Sequence, residues 1–274
     1  MTDRVVLTVA DGVADVRLNR ADKLNALDPA MFEAIAGTIA RIATDPSVRV
    51  VVLSGEGEAF CAGLDVERMT ASAGGENILP FPDLTKRTHG IANFVQHIVW
   101  AWRELPVPVI AAVHGVALGG GFQLALAADL RYVAPSTRLG LIETRWGLVP
   151  DMAGMQLVRG VAREDVVREL VYTARVFSAE EALAFGFATR LADEPRKAAL
   201  ATAREIAARS PDAIRAAKRL LNQAMPDGAE VILTSETDEQ SRLLGSANHA
   251  EAVRANFEKR APVFIDPPHV SFGA

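Results

Sequence analysis

Residues Val109 to Asp129 read VIAAVHGVALGGGFQLALAAD: an apolar run rich in β-branched residues, a bend, three consecutive glycines and an apolar helical stretch. A strand that feeds a helix through glycines aims bare backbone N–H groups and the positive end of a helix dipole at one point, a place to hold a negatively charged oxygen. Two common phosphate motifs do not fit. A dinucleotide fingerprint needs a third glycine where Leu124 stands, and the acid it requires further on is absent at that spacing. A P-loop needs Gly-Lys-Ser/Thr at its end, whereas Gly119 leads to Gly120-Gly121. Taken alone, the glycines also suit close helix packing, so a second observation has to assign the oxygen.

The chain has 274 residues, half of them apolar, enough for a sizeable core in one large domain or a domain with an appendage. Its net charge of −5 comes from acids and bases mixed along the sequence. No basic block of the kind that tracks a phosphate backbone is present, so nucleic acid is not an expected partner. The single cysteine, Cys61, excludes an intrachain disulfide framework and fits a reducing compartment. Five histidines without ligand spacing give no metal site. The amino terminus alternates as a strand rather than as a signal peptide, and a cytoplasmic protein is expected. The longest apolar run, Val107 to Leu130, has the length of a membrane span but contains His114, Gln123 and Asp129, so a buried strand and helix explain it and no membrane insertion is expected.

Working outward, residues 4 to 18 form a hairpin pattern with Ala10-Asp11-Gly12 as its turn. Asp28 and Pro29 start a helix whose buried stripe is Phe32, Ile35, Ile39 and Ile42. Arg49 to Leu53 has the pattern of a central strand. Thr70 to Gly90 has no period, and its Ile78, Leu79 and Phe81 suit a lid. A helix carrying Ile91, Phe94, Val95, Ile98 and Trp102 then ends at Pro106. Beyond Asp151, helices are expected over Met155 to Val161 and Arg163 to Thr173, followed by one opened by a capping box at Ser178 and Glu181 and closed by Gly186. Strands give way to helices near 193 to 210, with later helix starts at Ser210-Pro211, Gly228 and Asn248. A tail of helices without a core of its own fits packing against another copy of the chain.

The second observation lies at Phe60 to Asp65, FCAGLD, where a strand again ends at small residues that free backbone amides. Two such points supply two N–H donors to one oxygen, the arrangement that stabilises a thioester enolate. FCAGLD, VHGVALGGGFQLALAAD and LGLIETRWGLVPD together resemble the crotonase superfamily, the enoyl-CoA hydratases and isomerases, and the likeness runs in order to the carboxy-terminal NFEKR. The resemblance implies an α/β fold, a spiral of repeated strand-strand-helix units over residues 1–200. A helical region at 201–274 would serve oligomerisation, as a trimer or dimer of trimers. It implies an acyl-CoA substrate, with coenzyme A as part of that substrate and no separate cofactor. The thioester oxygen falls to the amides of Leu64 and Gly120. Lys23, Ala26, Ala62 and Asp65 match segments along the CoA moiety, and Phe257 and Lys259 lie where a helix approaches it.

Catalysis then turns on carboxylates. Removing a proton beside a thioester needs a positioned base, and adding water is best served by two acids that divide the proton work. In the resembling hydratases, one acid follows the glycines and the other falls in the segment 139–147. Glu143 supplies the second; at the first stands Gln123, whose amide can position water but cannot take its proton. Asp151 falls where dienoyl-CoA isomerases carry a carboxylate. The expected chemistry is therefore double-bond isomerisation of an enoyl- or dienoyl-CoA by Glu143 and Asp151. Hydration with Glu143 alone, Gln123 orienting water, is the alternative, and a non-catalytic CoA-binding role is the third reading. Trp146, between the two carboxylates, suits a wall of the acyl pocket. His114 is assigned to the turn, Cys61 to packing and Asp129 to a local cap or pair.

Overall fold

The computed structural model describes residues 3–65, 84, 86–223 and 246–266. The hairpin forms as the pattern implies: β1 (Val5–Ala10) and β2 (Val13–Leu18) pair antiparallel, joined through Asp11 and Gly12, both at positive φ. Two consecutive positive-φ residues match the right-handed twist of the strands, so this short turn fixes the register. Asp28 then caps α1 (Pro29–Thr44), its Oδ1 accepting from Met31 N at 2.8 Å, and the stripe Phe32, Ile35, Ile39 and Ile42 is buried.

β3 (Val50–Gly55), β4 (Val109–Val113), β6 (Leu130–Val133) and β9 (Arg190–Leu191) continue from β2 in parallel, giving a six-stranded sheet of order β1-β2-β3-β4-β6-β9. A second sheet of order β5-β7-β8 holds β5 (Val116–Leu118), β7 (Arg138–Gly140) and the short β8 (Phe177–Ser178). Each circuit of the chain lays a strand in the large sheet and then, a few residues later, a short segment in the small one. β4 is followed by β5 and β6 by β7, while β3 is followed by Cys61, which bridges in parallel to Ala117. This repetition is the expected spiral of strand-strand-helix units.

The central strands are apolar on both faces because both are covered. Val51, Leu53, Val109, Ala111 and Val113 face the main core, which includes α1, α2 (Phe94–Glu104) and α3 (Gly120–Leu126). Val50, Val52, Ile110 and Ala112 face α7 (Pro195–Ala207), whose Ala199, Ala203 and Ala207 recur every four residues on one side. Small side chains at that spacing let the helix lie close to the sheet. α7 crosses position 200 and packs on β2, β3, β4 and β6, so the helical tail begins as a layer of the core.

Several local expectations change. Ile91 lies outside α2 and is exposed, because Asn93 caps that helix in a reciprocal box with Gln96. The helix over Met155 to Val161 is a single turn, α4 (Gly154–Leu157), since Gly160 turns the chain at φ 75°. α5 (Glu164–Thr173) follows, and α6 (Ala179–Phe185) has the capping box of Ser178 with Glu181 and ends at Gly186. Asp129 pairs at long range: its Oδ2 accepts from Val109 N at 2.7 Å and from Lys218 Nζ at 2.9 Å, tying α8 (Pro211–Gln223) to the end of the glycine helix. Past β9 only helices occur among the described residues, the last being α9 (Ala247–Glu258). Most of the lid segment and the start at Gly228 lie outside the described residues.

Candidate active site

Two loops bring the amide donors together. Leu27 N donates to Gly63 O at 2.8 Å and Asp65 N to Leu27 O at 3.2 Å, which clamps the intervening Leu64 against Leu27. Gly63 has φ 89°, and a Cβ there would stand 2.5 Å from Leu118 O and 3.6 Å from Gly120 N. Glycine therefore permits the close approach that sets the FCAGLD loop beside the start of α3. The Gly120 amide is one of the donors a helix start leaves unpaired, and neither it nor the Leu64 amide has a backbone acceptor among the described residues. The loop behind is held by ions rather than by ligand chemistry. Arg20 Nη1 contacts Asp65 Oδ2 at 2.6 Å and Ala26 O at 3.1 Å, while the fully buried Asn25 donates to Glu56 O and Ala59 O.

A cavity of about 590 Å³ opens over this point. Glu143 enters it from a 3-10 turn, Glu143–Trp146, which is fixed by Thr144 Oγ1 donating to Val171 O at 2.6 Å and Arg145 Nη2 to Ala174 O at 3.0 Å. Gln123 enters from α3 with its amide orientation locked. Its Oε1 accepts from Met152 N and Gly154 N, both at 2.9 Å, and its Nε2 donates to Glu143 Oε1 at 2.6 Å. Position 154 must be small, since a Cβ there would stand 2.5 Å from Gln123 Oε1. One Glu143 oxygen is thus held, while the other, Oε2, is buried without a hydrogen-bond partner.

Such an oxygen is a costly thing to leave in a fold and a useful one to leave in a site, because it is a basic lone pair with nothing to lose. Burial raises the Glu143 pKa, against which the hydrogen bonds of its own backbone amide and of Gln123 act, and the negative charge of Asp151 pushes it further up. Asp151 lines the same cavity and its pKa is raised by desolvation, although it retains contact with solvent that screens part of the effect. Two carboxylates with raised pKa values in one cleft have the makings of a proton-transfer pair.

The structure brings Ala62, Leu64, Gly120, Gln123, Glu143, Trp146 and Asp151 around one cavity. Lys23, Ala26, Asp65 and Lys259 lie off its described walls: Ala26 is buried, Lys23 and Lys259 are exposed, and the Asp65 carboxylate is turned to Arg20 rather than to the cavity. Phe257 is on α9, its side chain outside the described residues. Sequence reasoning missed Met152, Leu148 and Val149 as walls and Gly154 as a support of Gln123. His114 Nε2 meets Gly57 O at 2.9 Å in the turn, and Cys61 is buried with its thiol pushed up to about 12 by desolvation, so neither offers a base or nucleophile.

A fold that stacks strand-strand-helix circuits and lines one cavity with Leu64, Gly120 and the half-buried Glu143 has the form of an acyl-CoA enzyme of the crotonase kind. The chain belongs to the enoyl-CoA hydratase/isomerase family, whose sequence pattern matches residues 8–267. It is 30% identical over 258 residues to the mitochondrial methylglutaconyl-CoA hydratase of Mus musculus, covering 92% of this chain and 79% of that protein. It is 32% identical over 267 residues to the 1,2-epoxyphenylacetyl-CoA isomerase of Escherichia coli (strain K12), covering 96% and 99% respectively. Among solved structures, an enoyl-CoA hydratase from Bacillus anthracis superposes with a TM-score of 0.85 at 29% identity, covering 96% of this chain and all of that one.

Proposed function

We propose that this protein moves a double bond along the acyl chain of an enoyl- or dienoyl-CoA, with Glu143 and Asp151 as proton carriers. The observation that carries the reading is the hydrogen bonding of Gln123, which engages one Glu143 oxygen and leaves the other buried without a hydrogen-bond partner. The Leu64 and Gly120 amides receive the thioester oxygen. Glu143 Oε2 takes a proton from the carbon beside the thioester, and the electron pair spreads onto the thioester oxygen on one side and across the double bond to its far carbon on the other, as a dienolate. Asp151 or the newly protonated Glu143 returns a proton at the far carbon, so the double bond moves and nothing is added or lost. Hydration is best served by a second group at position 123 that accepts or delivers a proton of water beside Glu143. Gln123 cannot do so, and its acceptor oxygen is already occupied by two amides.

The hydratase name of the murine relative supports a second reading, addition of water to a 2-enoyl-CoA by Glu143 alone, with the remaining Nε2 hydrogen of Gln123 directing the water. The two readings separate by product. Incubation with 2-enoyl-, 3-enoyl- and 3,5-dienoyl-CoA, followed in the ultraviolet and by mass, is expected to convert the latter two without mass change. A sole product heavier by one water sinks the isomerase reading. A role limited to CoA binding is the reading left if Glu143→Gln alters no measured function. The assembly we propose is a trimer or a dimer of trimers, in which exposed apolar side chains such as Leu221, Val263 and Ile265 would find partners. We place it in the cytoplasm with no resident cofactor beyond the CoA that arrives with the substrate; no helix among the described residues is long and apolar enough to cross a membrane.

A further inference from the structure

The acyl cavity has an open side and a buried side. Trp146 and Val149 on its wall are 49% and 67% exposed, whereas Phe32 and Val95 on the same wall are each 1% exposed. A CoA arm carries a charged nucleotide that has to stay in water, so the acyl group extends away from it, toward the buried side. Phe32 belongs to the core stripe of α1 and Val95 to the first turn of α2, and the cavity therefore reaches the seam where these two helices pack. Both walls are held. Phe32 N donates to Asp28 O at 3.0 Å, and the Asp28 cap accepts from Arg4 Nη2 at 2.7 Å. Asn93, the cap of α2, donates from Nδ2 to the carbonyl of Leu84, a further wall residue, at 3.0 Å. The stretch that carries Phe32 also fixes the thioester end of the path, because Leu64 is clamped against Leu27 through Gly63 O and Asp65 N. One hydrogen-bonded segment, 27–32, thus sets how far the Phe32 ring stands from the Leu64 amide.

We infer that Phe32 is the residue that limits acyl length in this site, so that acyl groups ending short of its ring are favoured over longer ones. The inference rests on the acyl-CoA reading of the cavity given above. A chain that stops before the ring gains about fourfold in affinity for each methylene laid against apolar wall. A chain that reaches the ring has to displace a packed core side chain on a capped first turn, which costs more than one methylene returns. Phe32 thus has two duties, one in the core of α1 and one at the end of the acyl path.

Calorimetric titration of the full chain with the saturated series from butanoyl-CoA to dodecanoyl-CoA tests this. Affinity is expected to rise by about fourfold per methylene and then to stop rising at one chain length. Phe32→Leu shortens the side chain and keeps the core apolar. It is expected to move that limit about two carbons longer and to tighten binding of the first thioester beyond the original limit by about tenfold. Ile39→Ala, on the same α1 stripe but off the described cavity walls, controls for loosening of the helix and is expected to leave the limit in place. Retained butanoyl-CoA binding shows that a variant is folded, and Phe32→Met, closer in volume and more flexible, carries the same comparison where the leucine variant fails that check. A series that rises without limit to dodecanoyl-CoA in the unmodified protein overturns the inference and leaves the acyl-CoA site standing. So does a limit unmoved by the Phe32 substitution, or one moved equally by Ile39→Ala. Failure of every thioester to bind the unmodified protein overturns the acyl-CoA reading itself.

Discussion

Replacing Gln123 by methionine keeps the length and most of the volume of the side chain while deleting three hydrogen bonds at once. Two of them serve the Met152 and Gly154 amides, each accepted at 2.9 Å in a buried setting. A buried donor left without an acceptor costs about 1–3 kcal/mol, so the pair together costs about 2–6 kcal/mol. For a domain of this size, that lowers the thermal midpoint by about 5–15 °C. The third bond is the 2.6 Å contact to Glu143 Oε1. A hydrogen bond to a charged group contributes about 1.5–3 kcal/mol, so its loss lowers the ionised fraction of Glu143, and with it the rate on the acid limb, by about 10- to 100-fold. The sign of the accompanying pH effect is fixed. The bond favours the carboxylate form of a base whose pKa is already raised by burial, so without it Glu143 holds its proton to higher pH and the acid limb of kcat/KM moves upward. Gln123→Glu restores an acceptor for both amides but gives Glu143 no neutral donor. It should therefore recover much of the stability and not the original pH profile. Thermal unfolding and a pH–rate profile of all three proteins read both halves. A methionine variant with an unchanged midpoint and an unchanged acid limb refutes the assigned hydrogen bonding.

Gly154→Ala places a methyl carbon 2.5 Å from Gln123 Oε1. The amide must shift, and the variant is expected to repeat the pH displacement of Gln123→Met in milder form, read by the same profile. Asp151→Asn removes a charge that raises the Glu143 pKa. The acid limb should then move to lower pH, opposite to the Gln123→Met effect, while dienoyl-CoA isomerisation falls by about 100-fold or more if Asp151 delivers a proton. Arg20→Ala withdraws the guanidinium that lies 2.6 Å from the buried Asp65. Chemical denaturation should show a loss of about 3 kcal/mol or more, and KM should rise as the Leu64 loop loosens. An Arg20→Ala protein as stable as the parent would remove the anchoring role from that pair.

Much of the fold was legible because its signals are local. Asp28-Pro29 followed by Phe32, Ile35, Ile39 and Ile42 states a capped helix and its buried face within fifteen residues, and the structure agrees. Asp11-Gly12 fixes a hairpin on two backbone conformations. What failed to show was tertiary. The pairing of Asp129 with Lys218 spans 89 residues and has no periodic trace. Ile91 fits the apolar spacing of α2, yet the reciprocal cap of Asn93 and Gln96 starts the helix after it. An apolar period marks a face, but the hydrogen bonds of the first turn mark the boundary.

The candidate site divides the same way, and the division bears on how its chemistry is understood. Glu143 and Asp151, which the motif segments mark by residue type, both line the cavity. The behaviour of Glu143, by contrast, depends on Gln123, and that role exists only because Met152 N and Gly154 N fix the amide oxygen, leaving Nε2 to face the carboxylate. Had the carbonyl end faced Glu143, two acceptors would have met at 2.6 Å and one would have needed a proton. The two backbone amides therefore decide which end of Gln123 faces Glu143, and through it that Glu143 can remain a carboxylate with one oxygen hydrogen-bonded and the other buried without a partner. A glutamate at position 123 would instead compete with Glu143 for a proton, which is the condition for dividing the proton work of hydration between two acids. One amide nitrogen in place of one oxygen thus separates a shared-proton pair from a single oriented base, and this is the physical ground for favouring proton shuttling along the acyl chain over addition of water.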